Sequence, residues 1–226
     1  AEAARRRVPF VIAVGLKLPR WPECHAPPWV RDLEPRAREA ALAAYLSTVA
    51  ERYRDRSGLI AWQVENAPFL AFGECPPRSA ATLEREIQTV RAADPAHPGM
   101  ITDSGELGLW VRAARYGDIF GTTMYRRIYP RYLGPLTGVI EYPLPPAFFR
   151  IKERIARRFS PHPAKPFVVI ELQGEPWETQ FLGSLPADKL VQDFSPAYFR
   201  DTIEYAKTTG FEDYYWWGAE WWYWMK

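Results

Sequence analysis

The stretch from Gly58 to Cys75, GLIAWQVENAPFLAFGEC, decides how this chain is read. Leu59, Ile60, Ala61 and Trp62 form an apolar run, and Gln63, Glu65 and Asn66 then turn it polar ahead of Pro68. Apolar residues enter a core at no desolvation cost, whereas the polar groups behind them need a partner, water or a ligand. The pattern is that of a buried strand, about residues 59–66, carrying chemistry at its C-terminal end.

Outward from this strand the chain alternates. Upstream, AEAARRR reads as the tail of an amphipathic helix and VPFVIAVGLKL as a buried strand, with a Pro- and Trp-rich loop behind it. Ala37, Ala40, Ala41, Ala44, Tyr45, Val49 and Tyr53 keep a three-to-four spacing that predicts a helix over Glu34–Arg56, stopped by Gly58. Downstream, a helix is expected near 79–93, a strand over Met100–Thr102, a short helix near 107–115 and a strand over Asp118–Met124. A Pro- and Tyr-rich loop to about 145, a basic helix over 147–159 and the apolar strand Phe167–Ile170 follow. The loop GEPWETQFLGSLPADK leads to a helix over 196–208, with Ser195 as N-cap and Pro196 at the first helical position, and Phe211–Trp217 is the last strand.

Six strands alternating with helical crossovers predict a parallel sheet covered by helices, and every polar or aromatic cluster follows a strand. That is the distribution of a (β/α)8 barrel with its site in the βα loops. A doubly wound sheet is the rival, but its Gly-rich phosphate turn is absent. The chain is read as one domain, 1–226, a little short of the roughly 250 residues of a whole barrel.

With 29 basic and 27 acidic residues there is no electrostatic case for nucleic acid. Arg5-Arg6-Arg7 reads as an exposed last helical turn, where cations suit the macrodipole. Arg5–Leu16 mimics a signal peptide, but Pro9 interrupts it, Lys17 closes it and no small-residue cleavage site follows. No apolar run approaches the roughly 20 residues of a membrane span. Ten Trp exceed what a core needs, and about half are expected to be core, the rest flat faces for stacking. No cofactor or metal is expected; Cys24 and Cys75 fit no zinc spacing. Both follow neighbouring strands in Glu-Cys contexts, which leaves a disulfide, a thiol pair or part of a soft-metal site open, with two inert thiols as the preferred reading.

Asn66-Ala67-Pro68 resembles the Asn-Glu-Pro signature of the clan A glycoside hydrolases, retaining enzymes built on a (β/α)8 barrel. PRWPECH looks like the loop after that clan's third strand, residues 59–68 match the fourth and ITDSGE the fifth. GTTMY matches the sixth, VVIELQGEPW the seventh and YYWWGAEWWYW the eighth. The first two βα units have no counterpart. Together with the missing initiator Met and a start inside a helix, this leads to the expectation of an incomplete, truncated or engineered barrel of six βα units.

The resemblance implies site residues. Glu171, directly behind four apolar strand residues, takes the place of the nucleophile, with Glu175 as a competitor and an ion pair with an Arg as the bland alternative. Ala67 stands at the acid/base position, where the clan has Glu. Tyr125 takes the place of a Tyr touching the nucleophile, Asn66 of an Asn bonding a sugar hydroxyl, and Trp217 of the aromatic floor. Trp21, Glu23 and His25 are expected as subsite walls, with Trp177 and Glu220 as further substrate-binding candidates. Glu65 is a poor substitute acid, one pleat deeper than position 67. The implied activity is retaining hydrolysis of β-glycosidic bonds, impaired or absent because Ala67 has no proton to give; the alternative is a carbohydrate-binding pseudoenzyme or a barrel fragment. The expected partner is an oligosaccharide or glycoside, with neither nucleic acid nor membrane, and a homodimer is expected through the ladder edges near Val8 and Trp217 unless Trp221–Lys226 covers them.

Overall fold

The computed structural model describes residues 2–225 except 76, 131, 179 and 181, and all but the side chain of residue 4 among these. In chain order the elements are α1 (Glu2–Arg6), β1 (Phe10–Val14), α2 (Pro35–Tyr53), β2 (Leu59–Val64), α3 (Ala80–Ala93), β3 (Gly99–Asp103) and β4 (Ile119–Met124). They continue with β5 (Arg127–Ile128), α4 (Gly134–Thr137), β6 (Ile140–Glu141), α5 (Pro146–Phe159) and β7 (Phe167–Gln173). The last are α6 (Ala187–Asp193), α7 (Pro196–Lys207), β8 (Tyr214–Trp217) and α8 (Ala219–Trp224).

Six strands form one sheet in the order β1-β2-β3-β4-β7-β8. β1 runs parallel to β2, β2 to β3 and β7 to β8, as helical crossovers require. The α/β fold is therefore the one expected from the alternation, with β1 and β8 as the outer strands. The terminal segment expected to cover an edge begins as α8, with Trp221 buried; Lys226 lies outside the described residues. No described helix is long and apolar enough to cross a membrane.

The chain divides into two compact units, Ala1–Gly121 with Ala156–Pro166, and Thr122–Ile155 with Phe167–Lys226. In the first, Val14, Ala61, Trp62, Val64 and Ile101 of the strands and Leu46, Leu83 and Val90 of α2 and α3 are buried. Leu83, Ile87 and Val90 are buried together on α3, as their spacing predicts, and Ser79 caps that helix by accepting from the Thr82 N–H at 3.0 Å. The indole of Trp62 donates to Asp94 Oδ2 at 2.8 Å, so this core Trp leaves no polar atom unsatisfied. In the second unit, Val169, Leu172 and Phe149 are buried, and Ser195 caps α7 by accepting from the Tyr198 N–H at 3.2 Å, with Pro196 behind it.

Three local expectations change. The helix near 107–115 reduces to a 3-10 turn at Ala113–Arg115. Trp110 sits at φ 64° while its N–H is taken by Asp103 Oδ2 at 3.1 Å and its indole by the Ser104 carbonyl at 2.9 Å, a conformation no helix contains. The loop to 145 holds the β5–β6 hairpin and α4; Arg127 and Glu141 lie directly opposite in that hairpin and pair at 3.1 Å. Two-residue strands are too short for alternation to reveal. The loop after β7 likewise contains α6.

The first unit also buries a carboxylate pair on one guanidinium. Arg78 donates to Glu86, and its Nε lies 3.9 Å from Glu65 Oε1. Burial, and then the Glu65 charge, push the Glu86 carboxyl up to about 7, against the pull of Arg78. Between pH 4.5, the ordinary value, and about 7 the folded chain keeps a proton that the unfolded chain has released. Stability therefore falls as pH rises through that window, by on the order of 3 kcal/mol if Glu86 acts alone. Glu86→Gln should flatten this slope; urea midpoints measured from pH 4.5 to 8 check it, and an unchanged slope would show that the proton sits elsewhere.

Candidate functional site

In the first unit the site is built where β1 and β2 end. β2 stops at Val64, and Glu65 turns left-handed at φ 62°. Its carboxylate, 0% exposed, accepts the N–H groups of Leu16 at Oε1 and Lys17 at Oε2, both at 2.7 Å. Glu65 therefore does not share a pleat face with position 67, as alternation had implied, but holds the loop after β1. Burial raises its carboxyl, opposed first by the Leu16 N–H. Gly15 faces the same carboxylate: a Cβ there would lie 2.6 Å from Oε1.

That loop turns the Lys17 side chain inward. Lys17 is fully buried, and its ammonium donates to the carbonyls of Ala67 at 3.0 Å and Leu70 at 2.8 Å and pairs with Glu23 at 3.3 Å. Glu23 is also buried and bonds the Asn66 side chain; desolvation raises its carboxyl despite the Lys17 charge. The Asn66 amide oxygen accepts from Gln63 Nε2 at 3.2 Å and Thr102 Oγ1 at 3.1 Å. Ala67, 6% exposed and at φ 40°, donates its N–H to Thr102 Oγ1 at 2.9 Å. Asn66, Ala67 and Glu23 thus come together, tied by Lys17 and Thr102. Neither of those two was foreseen, although a Lys inside an apolar run was a signal.

Trp21 and His25 lie further out on the same loop. Trp21 is 56% exposed with its ring edge-on to Phe72 at 6.3 Å, and exposed His25 places Nε2 3.2 Å from the Arg20 carbonyl. Gly73 lets the loop after β2 approach, because a Cβ there would meet the Pro22 carbonyl at 2.7 Å. Cys24 and Cys75 are joined by a disulfide, with Cα atoms 4.9 Å apart, which overturns the reading of two inert thiols and ties the two loops. Among the described residues no group of three His, Cys, Asp or Glu could hold a metal ion.

The second unit carries the remaining candidates. Glu171 lies on β7, 7% exposed, and the Tyr125 hydroxyl donates to its Oε2 at 2.8 Å. The Trp177 ring stands edge-on to Tyr125, centroids 4.7 Å apart. Gln173 follows two residues later, past a register shift between Val169 and Leu172, and β8 pairs it with Trp217. Trp216 points the other way, stacked on Phe199 of α7 at 4.5 Å, which leaves Trp217 on the face of its partner Gln173. Gly174 and Gly218 permit this crowding: Cβ atoms there would lie 2.5 Å from the Trp217 carbonyl and 2.6 Å from Glu175 Cβ. Glu175 is buried beside Gly218, and Glu220 is exposed in the first turn of α8. Gln173, which sequence reasoning missed, accepts the N–H groups of Arg126 and Arg127 at 3.0 Å each and donates to the Arg127 carbonyl at 2.6 Å.

The disulfide gives a direct test. Sequence separation 51 in the closed loop implies about 4 kcal/mol of denatured-state entropy. Intact mass after alkylation should show no modified Cys until reductant is added, and reduction should lower the unfolding midpoint accordingly. Two alkylated thiols without reductant would remove the bridge.

No family model matches the sequence, and no curated protein matches it. Solved structures match in fold. One is a GH53 catalytic domain from Ignisphaera aggregans, at TM-score 0.59 and 16% identity, over 96% of this chain and 64% of that one. A GH5_18 protein from Streptomyces cattleya, in complex with Manb1-4GlcNAc, matches at TM-score 0.60 and 16% identity, over 95% of this chain and 54% of the other. A GH2 beta-galacturonidase from Eisenbergiella tayi, bound to galacturonate, matches at 0.53 and 11%, over 80% and 29%. The chain thus spans less than two thirds of the length of each of these structures. Its α/β fold is that of part of a (β/α)8 barrel, structurally similar at low identity to the barrel domains of GH2, GH5 and GH53 glycoside hydrolases.

Proposed function

We propose that this chain carries a retaining β-glycosidase site in which Glu171 is the nucleophile and the acid/base carboxyl is replaced by Ala67. The observation that carries the reading is the 2.8 Å hydrogen bond from Tyr125 to Glu171, a buried carboxylate at a strand end met by a phenol. A carboxylate so held can attack an anomeric carbon and leave again. Trp217 supplies a flat face for the C–H side of a sugar, and Trp177 and Glu220 are further binding residues of the second unit. Asn66, Trp21 and His25 are the binding residues of the first unit. A methyl group at the acid/base position offers no proton, so the loss is about 10² to 10⁴ in rate.

The alternative is carbohydrate binding without turnover. It is favoured by Ala67 itself and by the Asn66 amide oxygen, which already accepts from Gln63 and Thr102.

A panel of 2-deoxy-2-fluoro glycosides with dinitrophenolate leaving groups separates the two, because such substrates need little acid assistance. Glycosyl label on Glu171 by peptide mapping is expected. Label on Glu175, or none from any sugar at saturation, would overturn the nucleophile assignment, and sugar binding without label would support the second reading.

Ala67→Glu should raise turnover of unactivated glycosides by roughly 10² or more, with Ala67→Gln as the size control. The left-handed backbone at Ala67 already bears a Cβ, so the Glu and Gln variants start from the same backbone conformation. Equal rates for the Glu and Gln variants, both folded and binding sugar, would show that position 67 is not the acid/base position.

A further inference from the structure

We infer that Gln173 is a positioning residue that sets the acidity of Glu171 by holding the Tyr125 hydroxyl against it. The inference deepens the proposed function and rests on that reading for its consequence in catalysis. The geometry lies within one unit and one short stretch of chain. Gln173 is 0% exposed and sits two residues beyond Glu171 on β7, past the register shift between Val169 and Leu172. Its amide oxygen accepts the N–H groups of Arg126 and Arg127, and its amide nitrogen donates to the carbonyls of Arg127 at 2.6 Å and Glu175 at 3.3 Å. One side chain therefore fixes the two residues that directly follow Tyr125, just past the end of β4, and reaches the loop behind Glu171 as well.

The consequence follows from how a tyrosine ring is placed. β4 ends at Met124, so the strand ladder no longer dictates the backbone that aims Tyr125. The hydroxyl lies at the far end of a long rigid side chain, where a small backbone rotation displaces it by more than the tolerance of a hydrogen bond. Trp177, edge-on to the ring at 4.7 Å, restrains the ring laterally, while the direction of its Cα–Cβ bond is left to the backbone that Gln173 holds. A hydroxyl donating to the ionised form of a carboxyl favours that form. Releasing the clamp should therefore raise the pKa of Glu171, in the same sense as removing the hydroxyl itself. A nucleophile must be ionised to attack, so the amide would extend the acid side of the working pH range without touching substrate. If Gln173 only satisfies orphaned backbone groups at the end of β4, its loss would lower stability and leave the Glu171 titration where it was.

The test reads Glu171 directly. The carboxyl carbon is followed by NMR in protein labelled with 13C-glutamate and assigned with Glu171→Gln. The titration is run for the wild type, Tyr125→Phe, Gln173→Met and the double variant. Met keeps the length and volume of Gln and removes all four hydrogen bonds. Tyr125→Phe should raise the Glu171 pKa by about one unit, Gln173→Met should raise it by a similar amount, and the double variant should show no more than Tyr125→Phe alone. An unshifted Glu171 in folded Gln173→Met, or shifts that add in the double variant, would overturn the inference. Should the Met variant fail to fold, amide exchange in the wild type decides instead: the Arg126 and Arg127 N–H groups should be protected, and rapid exchange at both would remove the clamp. The fluoroglycoside experiment keeps the two ideas apart. If Glu171 is never labelled but the titration cycle holds, the positioning stands and the nucleophile reading falls. If Glu171 is labelled in the wild type and Gln173→Met neither shifts its titration nor moves the acid limb of the labelling rate, the positioning falls and the nucleophile stands.

Discussion

The carboxylate of Glu65 is the interaction on which the first unit depends. A parallel strand that ends inside a protein leaves backbone N–H groups without ladder partners, and a buried N–H left unpaired costs about 1–3 kcal/mol. Leu16 and Lys17, just past β1, are in that position, and Glu65 takes both. The carboxyl is itself desolvated, which raises it, and the two backbone N–H groups and nearby Arg78 oppose that shift. Once the Leu16–Lys17 backbone is fixed, the Lys17 side chain is committed inward to Ala67, Leu70 and Glu23, and Glu23 in turn to Asn66. The polar residues at the end of β2 are therefore ordered from below.

The second unit solves the same problem with a neutral group. Gln173 at the end of β7 takes the N–H groups of Arg126 and Arg127 and returns a donor to the Arg127 carbonyl. An amide carries both a donor and an acceptor and brings no charge into the low dielectric beside Glu171, where a second carboxylate would raise the nucleophile candidate by like-charge repulsion. The choice of Gln over Glu is thus compatible with an ionised Glu171 two residues away, whereas the first unit uses a carboxyl, Glu65, with Arg78 close by.

Most of the fold was legible in the sequence, because apolar strands such as Phe167–Ile170 and helix faces such as Leu83, Ile87 and Val90 advertise burial by period alone. The α3 and α7 caps were equally plain, since Ser before a helical pattern has one common use. What stayed hidden was everything decided by long-range pairing. The disulfide joins residues separated by 51 in sequence, and the β5–β6 hairpin depends on Arg127 meeting Glu141. The left-handed turn at Glu65 broke the alternation expected there, and the one at Trp110 broke the short helix expected near 107–115. Of the candidate site, the strand-end residues Asn66, Tyr125, Glu171 and Trp217 could be picked from position, but Lys17, Thr102 and Gln173 could not. A polar residue in an apolar run signals a buried partner without saying which one.

The donors that meet Glu65 and Glu171 separate a structural carboxylate from one suited to chemistry. Glu65 is met by two peptide N–H groups whose directions are set by the backbone, and such donors favour one protonation state and one position. Glu171 is met by a phenol, whose O–H turns about its C–O bond and can also accept. A carboxyl whose task is to hold backbone in one position gains from fixed donors. One that forms an ester with a sugar and then releases it changes both charge and geometry twice in a turnover, and a donor that can follow those changes costs less at each step than two rigid ones. Under the proposed reading this places the adjustable partner at Glu171 and the rigid ones at Glu65, and leaves Gln173 the task of keeping an adjustable donor within reach.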